Sequence, residues 1–378
     1  MPGYELIGVD EKNAVSKIFD EGGILFHRSF EDVRKKFYVR EFNSKCEKYF
    51  NIKNCSAVSS GTAAIKCALK AAGIGPGDEV ITQAFNFVAC VEAIIDVGAK
   101  PIICSVDKNL HLDITNLEKK ITKKTKAVLA VHMLGLGCDM KSLNKFCISN
   151  NLILLEDACE AIGGKYNKKH YGTLGDIGIF SFDFAKTITC GEGGLTLTNN
   201  EKYGTYIKQF IDHGHENNPN LARGHDNRVM PGFNYRITEM QAAVISVQLD
   251  KLEFIVNENF KRYSILKEKI GQYTHVRKEF DNHSGSYDTF IFSVDKKETC
   301  NKIINFLNTE SIGTKIIPDA MEWHCSAYWG HALEKNEVQD SQSSLDHLEH
   351  SIGIPILINL PTETYFELGD SIIKLLKN

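Results

Sequence analysis

Lys186 lies in the run Ser181-Phe182-Asp183-Phe184-Ala185-Lys186-Thr187-Ile188-Thr189-Cys190-Gly191-Glu192-Gly193-Gly194, one amine between aromatic residues and a glycine-rich stretch. Upstream, Ser59-Ser60-Gly61-Thr62-Ala63-Ala64 places small and hydroxyl residues where a strand should give way to a helix, and Glu156-Asp157-Ala158 follows the apolar run Leu152-Ile153-Leu154-Leu155. A helix N-terminus offers unpaired amides and a positive dipole end to a phosphate. A carboxylate at the carboxyl end of a strand sits where open α/β sheets bind ligands, and there it can keep a pyridine nitrogen protonated. An amine whose pKa is lowered by burial and neighbouring cations can form an imine and shuttle protons. Amine, anion cradle and carboxylate together are what pyridoxal 5′-phosphate (PLP) requires. Each alone has an ordinary explanation: a solvated loop lysine, a helix cap, a carboxylate that ends a strand.

Other residues join this set more loosely. Phe87 follows the strand pattern Glu79 to Thr82 and offers a flat face for a cofactor ring, or simply packs in the core. Asn234 and Arg236, in Gly232-Phe233-Asn234-Tyr235-Arg236, are placed to bind a phosphate or carboxylate just before a helix. His213, His215, Arg223, His225 and Arg228 gather cationic donors in one loop, as expected of anion capture at a pocket mouth or of a solvated loop. Trp323, His324, Tyr328 and Trp329 read as packing anchors, with one of them available to line a substrate pocket. No Asp/Cys framework supports a metal site, so none is expected.

These residues must be positioned by a sizeable α/β scaffold. A chain of 378 residues is long enough for one large domain and a smaller one. From Cys55 to Asn200 short Val- and Ile-rich runs alternate with helix-period segments, the pattern of a mostly parallel sheet. Strands are expected at Glu79 to Thr82, Lys100 to Val106, Lys126 to His132 and Leu152 to Leu155. Helices are expected at Asp113 to Ile121 and Asp139 to Asn150, each capped by its leading Asp. Long helices should follow Asn200 and Thr238, with an α+β half after them. The expected division is 1–250 for the large domain and 251–378 for the small one, with the first 30 residues packing against the latter. The net charge of −4 gives no case for nucleic acid or an anionic membrane. Eleven scattered cysteines without a Cys-x-x-Cys pair fit reduced thiols in a cytoplasm, and no signal or membrane span is apparent.

The motifs, in this order and spacing, resemble the DegT/DnrJ/StrS family of sugar aminotransferases, which are fold type I PLP enzymes. The resemblance runs from the Glu41 region through Glu239-Met240-Gln241-Ala242-Ala243. It implies that Lys186 forms the Schiff base, Asp157 pairs with the pyridinium nitrogen and Phe87 stacks on the ring. It further implies that Ser60, Gly61, Thr62 and Ser181 hold the phosphate, and that Asn234 reaches the phosphate of a neighbouring subunit, hence a homodimer with shared sites. Arg236 would meet the carboxylate of the amino donor, L-glutamate. Family members usually carry Gln where this chain has Glu160. A carboxylate facing the cofactor's phenolate-like oxygen implies a raised Glu160 pKa or a displaced side chain. A dehydratase branch replaces the lysine with histidine; Lys186 favours transamination over a PLP lyase or a silent PLP-binding regulator. The opening Pro2-Gly3-Tyr4-Glu5-Leu6 and the wording Asp183 to Cys190 look closest to octulosonate 8-aminotransferases and to an enzyme converting dihydroxyacetone phosphate to serinol phosphate for capsule synthesis. That likeness ranks a phosphorylated triose first as acceptor, then sugar acids and nucleotide-linked keto sugars.

Overall fold

The apolar runs of the first half become a single sheet because each is short, β-branched and bounded by turn residues. The computed structural model describes residues 2–218, 220–338 and 341–377. Seven strands form the large sheet: β1 Asn54–Val58, β2 Glu79–Gln83, β3 Lys100–Cys104, β4 Thr125–Val131, β5 Ile153–Asp157, β6 Ile177–Ser181 and β7 Gly194–Thr198. Their order is β1-β7-β6-β5-β4-β2-β3. β7 runs antiparallel to β1 and β6, and the remaining neighbours are parallel. β1, β6 and β7 are buried at every position, as strands covered on both faces must be.

Alternation along β6 divides the core. Ile177 and Ile179 pack with the helices Gly61–Ala71 and Ala89–Asp96, whereas Phe180 and Phe182 pack with Tyr38–Phe50 and the helix Glu239–Ile270. Asp113 and Asp139 cap their helices as expected, accepting from Thr115 N at 2.8 Å and Ser142 N at 3.1 Å. Thr238 caps Glu239–Ile270 and shares a capping box with Gln241. That helix of 32 residues passes unbroken through position 250. The helices Val9–Asp20, Tyr38–Phe50 and Thr362–Lys377 all pack against it. The C-terminal part pairs Thr289–Ser293 with Ser351–Pro355, antiparallel, around its own apolar core. Among the described residues no helix is long and apolar enough to cross a membrane.

The helix Tyr38–Phe50 has no side-chain cap of its own. Its first amides, Tyr38 N and Val39 N, donate instead to the buried carboxylate of Glu239, at 2.7 and 3.3 Å, and Arg34 pairs with the same group at 3.5 Å. Glu239→Ala therefore strands a buried guanidinium and two amides. It is expected to lower stability by about 3 kcal/mol, measured by denaturant unfolding, with Glu239→Gln costing less because its oxygen can still accept.

Candidate active site

Three chain segments converge at the carboxyl ends of β5 and β6. Asp157 is the last residue of β5; its Oδ1 accepts from Cys159 N at 2.9 Å and its Oδ2 from the Cys90 thiol at 3.2 Å. The helix after β1 begins at Gly61, where the Ser60 hydroxyl accepts from Ala63 N at 3.1 Å. This helix start is pressed against the end of β6. A Cβ at Gly61 would sit 2.8 Å from the Ser181 Cβ and 3.2 Å from the Cys159 sulfur, so only glycine permits the approach. The loop from β6 to β7 carries Lys186. Asp183 folds it, accepting from Ala185 N at 3.0 Å through Oδ1 and from Lys186 N at 3.1 Å through its carbonyl.

The Lys186 ammonium meets Glu160 Oε1 at 3.2 Å, and Glu160 Oε2 accepts from Leu134 N at 3.3 Å. His324 completes the group. Its Nδ1 donates to the Ala320 carbonyl at 2.8 Å, since a carbonyl can only accept, and its Nε2 faces Glu160 Oε1 at 3.9 Å. Beside this lies a second ion pair, Lys315 to Asp288 at 2.8 Å, and Thr187 donates to the same Asp288 oxygen at 3.2 Å. These groups line a cavity of about 770 Å³ that includes Ser60, Gly61, Thr62, Phe87, Asp157 and Ser181. The Phe87 ring, 39% exposed, lies 5.2 Å from His324 and near-parallel to Trp323 at 6.5 Å.

The charges around the cavity act on both members of the central pair. Burial alone would neutralise Glu160, but Lys186, His324 and Lys315 hold it down to about 2. Burial likewise opposes the charge on Lys186, yet Glu160, Cys159 and Asp157 raise its pKa above the ordinary lysine value. The expected depression is absent because the groups facing this amine are carboxylates and thiols rather than cations.

Asn234, Arg236, His213, His215, Arg223, His225 and Arg228 are not among the residues lining this cavity. Arg236 and Arg223 bind the two oxygens of Asp212 at 2.6 and 2.5 Å, and His215 faces Asp226 at 3.3 Å. Asn234 bridges Asp212 along the backbone, His215 bridges Arg228, and His225 ends a short 3-10 turn. Arg236 lines a second cavity of about 870 Å³ with Asp212, His27, Arg28 and Lys208. Of the two tryptophans, Trp329 is a buried anchor, whereas Trp323 is 61% exposed and lines the Lys186 cavity. Sequence reasoning missed Asp288, Lys315 and Cys90. No spacing rule signals them, because each takes its role from a partner far along the chain.

The sequence profile of the DegT/DnrJ/EryC1/StrS aminotransferase family matches residues 31–372. The chain belongs to that family. This DegT-family chain is 31% identical over 336 residues to GDP-perosamine synthase of Escherichia coli O157:H7, covering 89% of each protein. It is 28% identical over 392 residues to a spore coat polysaccharide biosynthesis protein of Bacillus subtilis, covering 98% of this chain and 96% of that one. A putative sugar aminotransferase of Streptococcus pneumoniae, solved in its PLP form, superposes with a TM-score of 0.83 at 21% identity, over 98% of this chain and 97% of that one. The DegT-family fold is that of an α/β, fold type I transferase, and the enzyme is a PLP-dependent aminotransferase of the kind used in polysaccharide biosynthesis. The donor set fits this cofactor: a half-buried amine, a strand-end carboxylate, a glycine-tight helix N-terminus and an exposed aromatic face share one cavity.

Glu160→Gln removes the anion that keeps Lys186 protonated. Each unit by which the lysine pKa falls raises the free-amine fraction about tenfold at neutral pH. Covalent capture of PLP by the apo-protein at pH 7.5, followed by mass spectrometry after borohydride reduction, is therefore expected to be about tenfold faster in the variant. The same pair has a pH signature in stability. Because the folded Glu160 pKa is depressed, its contribution is present above the ordinary value of 4.5 and is lost as pH falls toward about 2. The melting-temperature difference between wild type and Glu160→Gln should narrow across that window.

Proposed function

We propose that this enzyme moves the amino group of L-glutamate to a keto sugar, with Lys186 as the reactive amine. The observation that carries this reading is the single cavity that holds the Lys186 amine, the Asp157 carboxylate and the Gly61 helix start together. When bound, PLP supplies an electron sink for the carbon that gains or loses the amine. Lys186 Nζ would hold the cofactor covalently and, once displaced, take and return the proton at the substrate's reacting carbon. Glu160 Oε1, 3.2 Å away, steadies that nitrogen when it is an ammonium. Asp157 would hold the ring nitrogen, Phe87 the ring face, and Ser60, Gly61, Thr62 and Ser181 the phosphate. Asn234 lies outside its own chain's cavity and is proposed to serve the cavity of a second copy, in a homodimer. Arg236, Arg223 and His215, already paired with Asp212 or Asp226, are proposed to order that same face together with the rest of the basic loop. The eleven free thiols favour a reducing, cytoplasmic setting.

Likeness to a protein named as a GDP-perosamine synthase and a cavity of about 770 Å³ support a sugar-sized, nucleotide-linked acceptor over a triose. Dihydroxyacetone phosphate, giving serinol phosphate, rests on the likeness of the opening residues and of Asp183 to Cys190; sugar acids stand between the two. The test is two half-reactions. The PLP-loaded protein receives L-glutamate, with cofactor absorbance and 2-oxoglutarate followed, and then each ketone in turn. Stoichiometric 2-oxoglutarate, with the absorbance restored by a nucleotide-linked keto sugar, supports the proposal. Restoration by dihydroxyacetone phosphate alone transfers it to the triose. Water or ammonia release without glutamate consumption would instead mark a lyase or dehydratase, and an inert loaded protein a regulator.

Lys186→Ala is expected to cut turnover by at least about 10²–10⁴-fold while the assembly seen by light scattering stays unchanged. Asp157→Asn is expected to lose most activity. Near-normal rates in either variant contradict the role given to that residue.

A further inference from the structure

We propose that the N-terminal segment from Gly3 to Glu11 is a positioning element for Lys186, with Gly3 as the contact residue. Gly3 is buried against the backbone of the lysine loop. A Cβ built there would collide with the Lys186 carbonyl oxygen and lie 3.2 Å from the Phe184 carbonyl oxygen, so the space admits only hydrogen. The contact falls on the peptide that carries the amine, on a loop that is also held by Asp183, by the Lys186 pair with Glu160, by the bond from Thr187 to Asp288 and by the bond from Thr189 to the Phe182 carbonyl.

The segment is itself fixed at both flanks. Glu5 Oε2 and Oε1 accept from Ile358 N and Asn359 N, each at 3.1 Å, next to Pro355 and Leu357 of the cavity wall. The Leu6 carbonyl accepts from Lys251 Nζ at 2.8 Å and Gln248 Nε2 at 3.3 Å. Glu11, 2% exposed, takes the same two donors at 2.6 and 2.8 Å and accepts from Gly8 N at 2.8 Å. A buried carboxylate with this many donors is a rigid anchor. The segment thus braces the lysine loop against the helix Glu239–Ile270 on one side and the 355–359 wall on the other. Its catalytic meaning rests on Lys186 being the reactive amine, but the bracing itself does not.

The test is hydrogen exchange on the full chain, with any tag at the C-terminus, for wild type, Gly3→Ala, Glu5→Ala and Tyr4→Ala, followed by the rate of PLP capture at Lys186. Tyr4 is 59% exposed and serves as the control. In Gly3→Ala the amides of Ala185 and Lys186 are expected to exchange about tenfold faster or more, with the helix Lys297–Thr309 and the Tyr4→Ala protein unchanged and PLP capture slowed in step. Wild-type exchange across 183–188 in Gly3→Ala overturns the proposal. If Gly3→Ala loosens the whole chain, Glu5→Ala decides by the same criterion. Faster loop exchange in a protein whose wild type never captures PLP leaves the brace standing and removes the role given to Lys186.

Discussion

An ammonium set into a cavity wall, largely out of water, must be paired, and most of the site follows from meeting that requirement. Removing one partner of such a pair costs about 3–5 kcal/mol because the other charge is left stranded. Lys186 meets Glu160, and Glu160 is in turn held by the Leu134 amide, so the amine is tied to the sheet end. Thr187, the next residue, donates to Asp288, which also holds Lys315. The lysine loop is therefore fixed by charge from two directions, by groups that belong to the two halves of the chain. Glutamate at position 160 makes the resting amine more basic than a glutamine would.

The sheet supplies the geometry in which this pairing can occur. Parallel neighbours β4, β5 and β6 end at the same edge, which brings Asp157 and Ser181 within reach of a single ligand. The antiparallel β7 returns the chain beside β6, so the lysine loop is tied at both its ends by adjacent strands. The helix start at Gly61 closes on Ser181 because nothing larger than hydrogen stands between them. Cys90 reaches the same edge from the helix Ala89–Asp96 and gives Asp157 a thiol donor.

Local chemistry was legible in the sequence, and long-range pairing was not. The Asp caps at 113 and 139, the apolar run before Asp157 and the hydroxyl-glycine turn at Ser60 to Thr62 each signal within a few residues, and all appear in place. The helix Tyr38–Phe50 carries no such signal, because its cap is a carboxylate about 200 positions away, at Glu239. Asp288 and Lys315 acquire meaning only when the C-terminal part folds over the sheet edge. The pairing of Arg223 with Asp212 and of His215 with Asp226 left no trace in the sequence, where both carboxylates are unremarkable. The rise of the Lys186 pKa was hidden for the same reason: it depends on which charges lie across the cavity.

The bonds from Glu5 to Ile358 and Asn359 join residues more than 350 positions apart. During synthesis the first of these partners emerges long before the second, and domains form from the N-terminal side as the chain appears. The seven-stranded sheet is complete once residue 198 is out, so a nascent chain holds its lysine and its strand-end carboxylate early. The wall at Pro355 and Leu357, and the clasp beside it, arrive about 150 residues after the sheet is complete. Closure of the cavity thus trails the scaffold by a long stretch of synthesis, and a chain cut short in that stretch would present a finished scaffold around an open cleft.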